Sequence, residues 1–307
     1  MSYKVFIDGE AGTTGLQIRD RLERRADISL VSVDPARRKD LDARSEALAE
    51  ADVAILCLPD DAARDTVALA EPLGTRIIDA STAHRVAQGW TFGFAEMSRD
   101  QRAAIAGARL VSNPGCWSTC AIALIRPLVE AGLIDPASAP AISGVSGYTG
   151  GGKGMIAEYD SGEASGSFLY GAGQGHKHLP EIMAHAGLSA VALFVPSVGD
   201  YAQGMAVAIQ LAGLGPKGMA EAESALRSAY EGERFVTVVA PETHAPRTMP
   251  QALNGTNQLE LSVHGNAATG SVTLISVLDN LGKGASGAAV QNLNIMLGCD
   301  EAAGLVG

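Results

Sequence analysis

The stretch "YKVFIDGEAGTTGLQIRDRLERR", residues 3–25, decides the fold. Its first six residues are a short apolar run rich in β-favouring side chains that ends in aspartate, the pattern of a strand. Gly9, Gly12 and Gly15 then form G-x-x-G-x-x-G, and the segment from Thr13 onward has helical spacing. Glycines at such a junction permit positive φ and close backbone approach to a pyrophosphate, while the helix start offers free N–H groups and partial positive charge. Thr13 and Thr14 add hydroxyl donors. The spacing departs from the commoner G-x-G-x-x-G, so the strand before and the helix after carry the assignment. A glycine turn without a ligand is the alternative.

Moving outward, the alternation repeats. "ISLVSVD" (28–34), "ADVAILCLP" (51–59), "TRIIDAS" (75–81) and "ARLVSN" (108–113) read as strands, and "DDAARDTVALAEPLG" as a helix between two of them. Strand alternating with helix predicts a doubly wound parallel sheet covered on both faces, a Rossmann-type α/β unit. Past residue 140 the texture changes. After the glycine-rich "SGVSGYTGGGKG" come longer strand candidates, "AVALFVPSV", "GMAVAIQLAG", "FVTVVA", "QLELSVHG" and "GSVTLISVL", with one helix candidate, "KGMAEAESALRSAYEG". These predict a second α+β domain with a mainly antiparallel sheet. "DNLGKGASGAAVQNLNIMLG" (279–298) reads as a helix whose small residues permit close packing.

Bulk properties narrow the function. A chain of 307 residues suggests two domains. Its net charge of −11 argues against an extended polyanion such as DNA, though a few local cations can still hold a small phosphate. No apolar run approaches the roughly 20 residues needed to span a bilayer, and the N-terminus lacks the pattern of a signal peptide. Cys57, Cys116, Cys120 and Cys299 are too few and too scattered for a disulfide framework. The expectation is a cytoplasmic protein without nucleic-acid or membrane partners.

The end of the second strand carries "VDPARRKD". Asp34 stands near the position where an acidic group binds the ribose diol of NAD. Arg37, Arg38 and Lys39 follow at once and can clamp a 2′-phosphate. A carboxylate beside that phosphate is repulsive, so the two signals compete. Three consecutive cations favour NADP(H), with a solvated basic loop as the alternative.

Chemistry centres on "NPGC", residues 113–116, which leads into an apolar helical run. Thiolates attack carbon, and a helix N-terminus is one of the settings that lowers a thiol pKa. Cys116 therefore reads as a nucleophile, with nearby backbone N–H groups as an oxyanion hole and Asn113 as a further donor. A buried core cysteine is the competing reading. A metal site with Cys120 is disfavoured because no further ligands are evident, so no metal is expected. "GQGHKHLPEIM" (173–183) supplies His176 and His178 in a glycine loop, with Glu181 near enough to fix an imidazole tautomer. His84, His185, His244 and His264 lack such a setting and read as surface or core.

Together "DGEAGTTGLQI", "NPGC" before a helix, "SGYTGGGK", "HKHLPEI" and "DNLGKGASGAAVQNLN" resemble the N-acetyl-γ-glutamyl-phosphate reductases of arginine biosynthesis, in their shorter type. The wider relatives include aspartate-semialdehyde dehydrogenase. The resemblance runs from residue 5 to 298 and implies NADPH-dependent reduction of an acyl phosphate to an aldehyde, with release of inorganic phosphate. Cys116 would carry a thioester and His176 or His178 would move the proton, His176 being slightly favoured with Glu181 orienting it. The same resemblance makes Arg85 a phosphate binder, brings Ser146, Gly147 and Lys153 to the substrate or cofactor, and takes Asn280 to the nicotinamide end. A helix cap is the other reading of Asn280. It implies an NADP-binding domain over 1–115 completed by 281–307, and a catalytic and oligomerisation domain over 116–280. It also suggests a homo-oligomer, dimer or tetramer, built through the second sheet. Trp117 and Cys120 stand where the family often has tyrosine and a small residue, which raises a strained Cys116–Cys120 bridge as an oxidative switch.

Overall fold

The computed structural model describes residues 2–38 and 40–307. Among them, β1 (Tyr3–Asp8), β2 (Ile28–Val31), β3 (Val53–Leu56), β4 (Arg76–Asp79), β5 (Thr91–Phe92) and β6 (Leu110–Ser112) build one sheet. Its order is β2-β1-β3-β4-β6-β5, parallel throughout. Side chains alternate across it. Val5, Ile7, Val53, Ile55 and Ile78 enter one core layer, while Phe6, Ala54, Leu56 and Ile77 enter the other. Helices α1 (Thr13–Leu22), α4 (Gln101–Gly107) and the C-terminal helix (Gly287–Leu297) supply Ile18, Leu22, Ile105, Val290 and Leu293 to the first layer. The second is closed by Ala47 and Leu48 of α2 (Leu41–Glu50) and Ala70 of α3 (Asp60–Ala70). This is the predicted doubly wound architecture.

The chain divides into two compact units. The first comprises Met1–Ala95, Arg99–Pro114 and Ala285–Leu305, and the second Glu96–Ser98, Gly115–Gly284 and Val306–Gly307.

Seven strands make the sheet of the second unit: β7 (Ala141–Gly147), β8 (Phe168–Leu169), β9 (Leu193–Gly199), β10 (Met205–Leu211), β11 (Val236–Val238), β12 (Leu259–Asn266) and β13 (Ser271–Leu278). The order is β11-β12-β13-β10-β7-β9-β8. Two pairings, β7 with β9 and β11 with β12, are parallel, and the other four are antiparallel. The sheet is thus mixed. β7, "AISGVSG", runs into what the sequence presents as a glycine-rich stretch. Its glycines are there for close approach: a Cβ on Gly144 would stand 2.4 Å from the Ala206 carbonyl oxygen and 3.0 Å from the Trp117 ring.

Helices α5 (Cys116–Glu130) and α8 (Gly218–Ala229) pack on this sheet, and α7 (Leu179–Ala186) packs on α5. The short α6 (Gly152–Ser161) follows the glycine-rich turn. Helix α5 contains Pro127, which removes the donor that would normally bond the carbonyl four residues back. The Tyr230 hydroxyl donates to that Ala123 oxygen instead, at 2.9 Å, so the buried carbonyl stays satisfied.

The C-terminal segment departs from the expected single helix over 279–298. Gly282–Ser286 forms a π-turn, and the regular helix, α9, runs only over Gly287–Leu297. The Asp279 carboxylate is the cause. It accepts the backbone N–H groups of Leu281 and Gly255 at 2.9 and 2.8 Å, which holds the chain in a turn before the helix can begin.

Candidate active site

In the first unit, Gly9 leaves β1 at φ +87°, and its α-carbon is seated on the end of β3. A Cβ there would lie 2.3 Å from the Cys57 carbonyl oxygen, and one on Gly15 would lie 2.6 Å from the Gly9 oxygen. Only glycine fits either place. No side chain caps α1, whose N-cap is Gly12, so its amide dipole is available to an anion. Thr13 and Thr14 are its first two residues. A cavity of about 340 Å³ opens beside this turn, lined by Asp8, Gly9, Ser32, Pro35, Arg38 and Arg44 among others. It lies between the carboxyl ends of neighbouring parallel strands, where this fold class takes nucleotides.

The basic run after β2 separates on folding. Arg38 lines the cavity. Arg37 instead donates to Asp40 at 3.1 Å, and Lys39 lies outside the described residues. Asp34 accepts the Ala36 N–H at 2.8 Å in a local turn and does not line the cavity. The turn and cavity therefore fit a dinucleotide.

In the second unit, Cys116 is the first residue of α5 and is half-buried, preceded by the uncapped Gly115. The other thiols differ. Burial pushes Cys57 up to about 12 and raises Cys120 as well, and Cys120 is fully buried with a hydrogen bond to Ser276. Cys299 donates to Asp27 at 3.8 Å. None of the four cysteines is joined in a disulfide, so no Cys116–Cys120 bridge is present.

Trp117, the residue after Cys116, joins an aromatic cluster assembled from distant segments. Phe194 of β9 meets Trp117 edge-on at 5.2 Å and His176 at 4.8 Å. Tyr170 lies 5.6 Å from His176 and is hydrogen-bonded to Trp117, whose indole can only donate. Burial and the nearby Cys116 together raise the Tyr170 pKa.

The two histidines have distinct surroundings. His176 accepts the His178 backbone N–H on Nδ1 at 3.2 Å, which assigns its own proton to Nε2. Burial, aided by Lys177, pushes its pKa down to about 4, so the ring is neutral near pH 7. Glu181, expected to orient His176, lies beside His178. Its carboxylate, 1% exposed, lies 3.7 Å from His178 Nε2 and accepts the Gly115 N–H at 3.3 Å. It thus ties the histidine loop to the residue just before the thiol.

Other expected site residues fall in separate places. Asn113 is buried, donating to the Ala285 oxygen at 2.9 Å and accepting from Asn292 at 3.1 Å. Buried Arg85 donates to the Asn113 and Ala80 carbonyls at 3.1 and 3.3 Å. Asn280 is buried too, accepting the Gly204 N–H at 2.7 Å and donating to Thr149 at 3.0 Å. Its amide thereby joins two loops. Ser146 is buried at the end of β7. Gly147 beside it has no room for a side chain, since a Cβ would stand 2.5 Å from the Ala202 oxygen. Lys153 is exposed on α6. Among the described residues no cluster suited to a metal ion is found.

Sequence reasoning missed Tyr170 and Gly284. Tyr170 had only the signal of an aromatic residue at the head of the histidine loop. Gly284 presses on the nucleophile itself: a Cβ there would lie 2.6 Å from the Cys116 Cβ. The small residues of "LGKGASG" were its only trace. His84, read as surface or core, stacks on Trp90 at 4.2 Å with Nδ1 2.6 Å from buried Asp79.

Comparison with known proteins agrees with this geometry. The family model "Semialdehyde dehydrogenase, dimerisation domain" matches residues 116–280, and "Semialdehyde dehydrogenase, NAD binding domain" matches 29–105. An N-acetyl-gamma-glutamyl-phosphate reductase 2 of Nostoc sp. is 50% identical, covering 98% of this chain and 99% of its own. An N-acetyl-gamma-glutamyl-phosphate reductase of Brucella anthropi is also 50% identical, over 97% of this chain and 99% of its own. Among solved structures, aspartate semialdehyde dehydrogenase II of Vibrio cholerae, complexed with ASA, aligns with a TM-score of 0.72 at 14% identity. That alignment covers 97% of this chain and 98% of the other, and supports the fold alone. No helix among the described residues is long and apolar enough to cross a membrane. Half identity over nearly the full length of both chains, with both domain matches, makes this chain a member of the N-acetyl-γ-glutamyl-phosphate reductase family within the semialdehyde dehydrogenases.

Proposed function

We propose that the protein reduces N-acetyl-L-glutamyl 5-phosphate to N-acetyl-L-glutamate 5-semialdehyde with NADPH, releasing phosphate, as a step of arginine biosynthesis. The observation that carries this reading is Cys116. Among the four cysteines it alone joins partial exposure to an uncapped helix start, with Tyr170 near it.

The Cys116 thiolate attacks the acyl carbon, whose oxygen becomes an alkoxide. That alkoxide re-forms the carbonyl and expels phosphate, which takes up a proton, leaving a thioester on Cys116. NADPH would be held by the Gly9–Gly12–Gly15 turn, with Arg38 for its 2′-phosphate, and would supply the hydride when bound. A second alkoxide follows at the same carbon and expels the thiolate, freeing the aldehyde. Both alkoxides call for a hydrogen-bond donor rather than a proton. A neutral His176 with its proton on Nε2 meets that need, which changes its role from proton shuttle to oxyanion donor. His178, held beside Glu181, is the remaining candidate for proton transfer.

NADPH is favoured over NADH because Arg38 lines the cavity while Asp34 does not. The open face of the second sheet suits a second copy of the chain, since Leu169, Leu193 and Val195 lie on one side of it at 70, 54 and 39% exposure. The proposed assembly is a homodimer, or a tetramer built from it, working in the cytoplasm. The test is phosphate-dependent NADP⁺ reduction with N-acetylglutamate semialdehyde and, separately, aspartate semialdehyde, by wild type and Cys116→Ser. We expect turnover with the acetylated substrate only, reduced at least about 1,000-fold in the variant. Preference for aspartate semialdehyde, or full activity in Cys116→Ser, would refute the proposal.

A further inference from the structure

Within the second unit, Lys283 is 1% exposed and Glu96 2% exposed. The ammonium donates to both carboxylate oxygens, at 2.7 and 2.8 Å, and stands 5.5 Å from the Phe235 ring centroid. Neither residue has a part in the chemistry above. A buried ion pair is a poor source of stability, because desolvating two charges offsets most of their attraction, and an apolar pair of similar volume is often as stable. What the pair does supply is direction. Two hydrogen bonds to one buried carboxylate restrict where the lysine can sit, whereas an apolar contact tolerates sliding.

The residue held in this way is the neighbour of Gly284. That glycine has no clearance over the nucleophile, as the Cβ separation of 2.6 Å shows, and its N–H is fastened to the Asp279 oxygen at 3.0 Å. A small shift of the π-turn would therefore either press on Cys116 or withdraw its support.

We propose that Lys283 and Glu96 are positioning residues that set the seat of Gly284 against Cys116, and through it the reactivity of the thiol. The proposal rests on Cys116 being the nucleophile, so its test includes a readout independent of substrate. Lys283→Met combined with Glu96→Leu removes both charges of the pair together. Iodoacetamide labelling of Cys116, followed by mass spectrometry across pH with Cys116→Ser as the blank, reports on the thiol directly. We expect a folded variant with slower labelling or a displaced pH midpoint. Its kcat should fall on the order of 10- to 100-fold while the KM for NADPH is unchanged. Labelling and kcat equal to wild type would overturn the proposal. Should this variant fail to fold, Lys283→Arg keeps the charges but alters their reach, and a wild-type labelling profile and kcat there would overturn it equally. Absence of turnover in the wild type with normal labelling would count against the proposed reaction and leave the labelling arm to decide this one.

Discussion

The nucleotide cradle and the thiol site are built by opposite means. The cradle is backbone: Gly9, Gly12 and Gly15 shape one contiguous turn, and the cavity beside it draws on strand ends close in sequence. The thiol site is side chain. Its wall comes from residues 117, 170, 176, 194 and 284, brought together by helix and sheet packing. A backbone site fails when a side chain is added where none fits. A side-chain site fails when one group changes its charge, its proton or its support.

The sharpest way to break the comparison is to add one methyl group to the cradle. Gly9→Ala combines a positive φ with a clash against the Cys57 backbone, and should cost about 3 kcal/mol or more in denaturant unfolding. Gly12→Ala, whose nearest neighbour would lie at 3.3 Å, should cost under about 1 kcal/mol. Equal stability of the two variants would mean that the turn is not held by backbone contact.

A smaller effect separates the two arginines of the basic run. Arg38→Ala should weaken NADPH binding about 10- to 100-fold in fluorescence titration, the worth of a charged phosphate contact, and leave NADH unaffected. Arg37→Ala should change NADPH binding by less than about threefold, because that guanidinium is paired with Asp40. The assignment would be lost if Arg37 proved the more sensitive.

The smallest effect concerns a proton. His176 has a folded pKa of about 4, below the ordinary 6.5, so the unfolded chain binds a proton there before the folded one does. The stability linked to it is complete above about pH 6.5 and is lost as pH falls toward 4. His176→Asn should therefore flatten the decline of Tm between pH 7 and 4 relative to wild type. A parallel decline in both proteins would show that the ring is not held neutral.

Legibility followed the same division. The cradle could be read because its elements are consecutive, and a glycine pattern between strand and helix is a local signal. Cys116 could be read for the same reason, since the turn before it and the helix after it adjoin in sequence. The partner of Glu181 could not: proximity along the chain pointed to an imidazole, yet which one it approaches depends on how α7 packs against α5. The strand at 141–147 was hidden by glycines that serve contact with β10 and Trp117. The split of the basic run was equally invisible, since Arg37 and Arg38 are alike until Asp40 claims one of them.

By itself the order of residues determined the layered first unit, the glycine turn and a cysteine at a helix start, because period, punctuation and helix polarity are properties of short segments. Only tertiary structure decided that Tyr170 and Gly284 stand beside Cys116, that His176 stays uncharged, and that Lys283 meets Glu96 out of water. Those outcomes depend on burial and on neighbours many residues away, and the energy of a proton or an ion is set by what surrounds it.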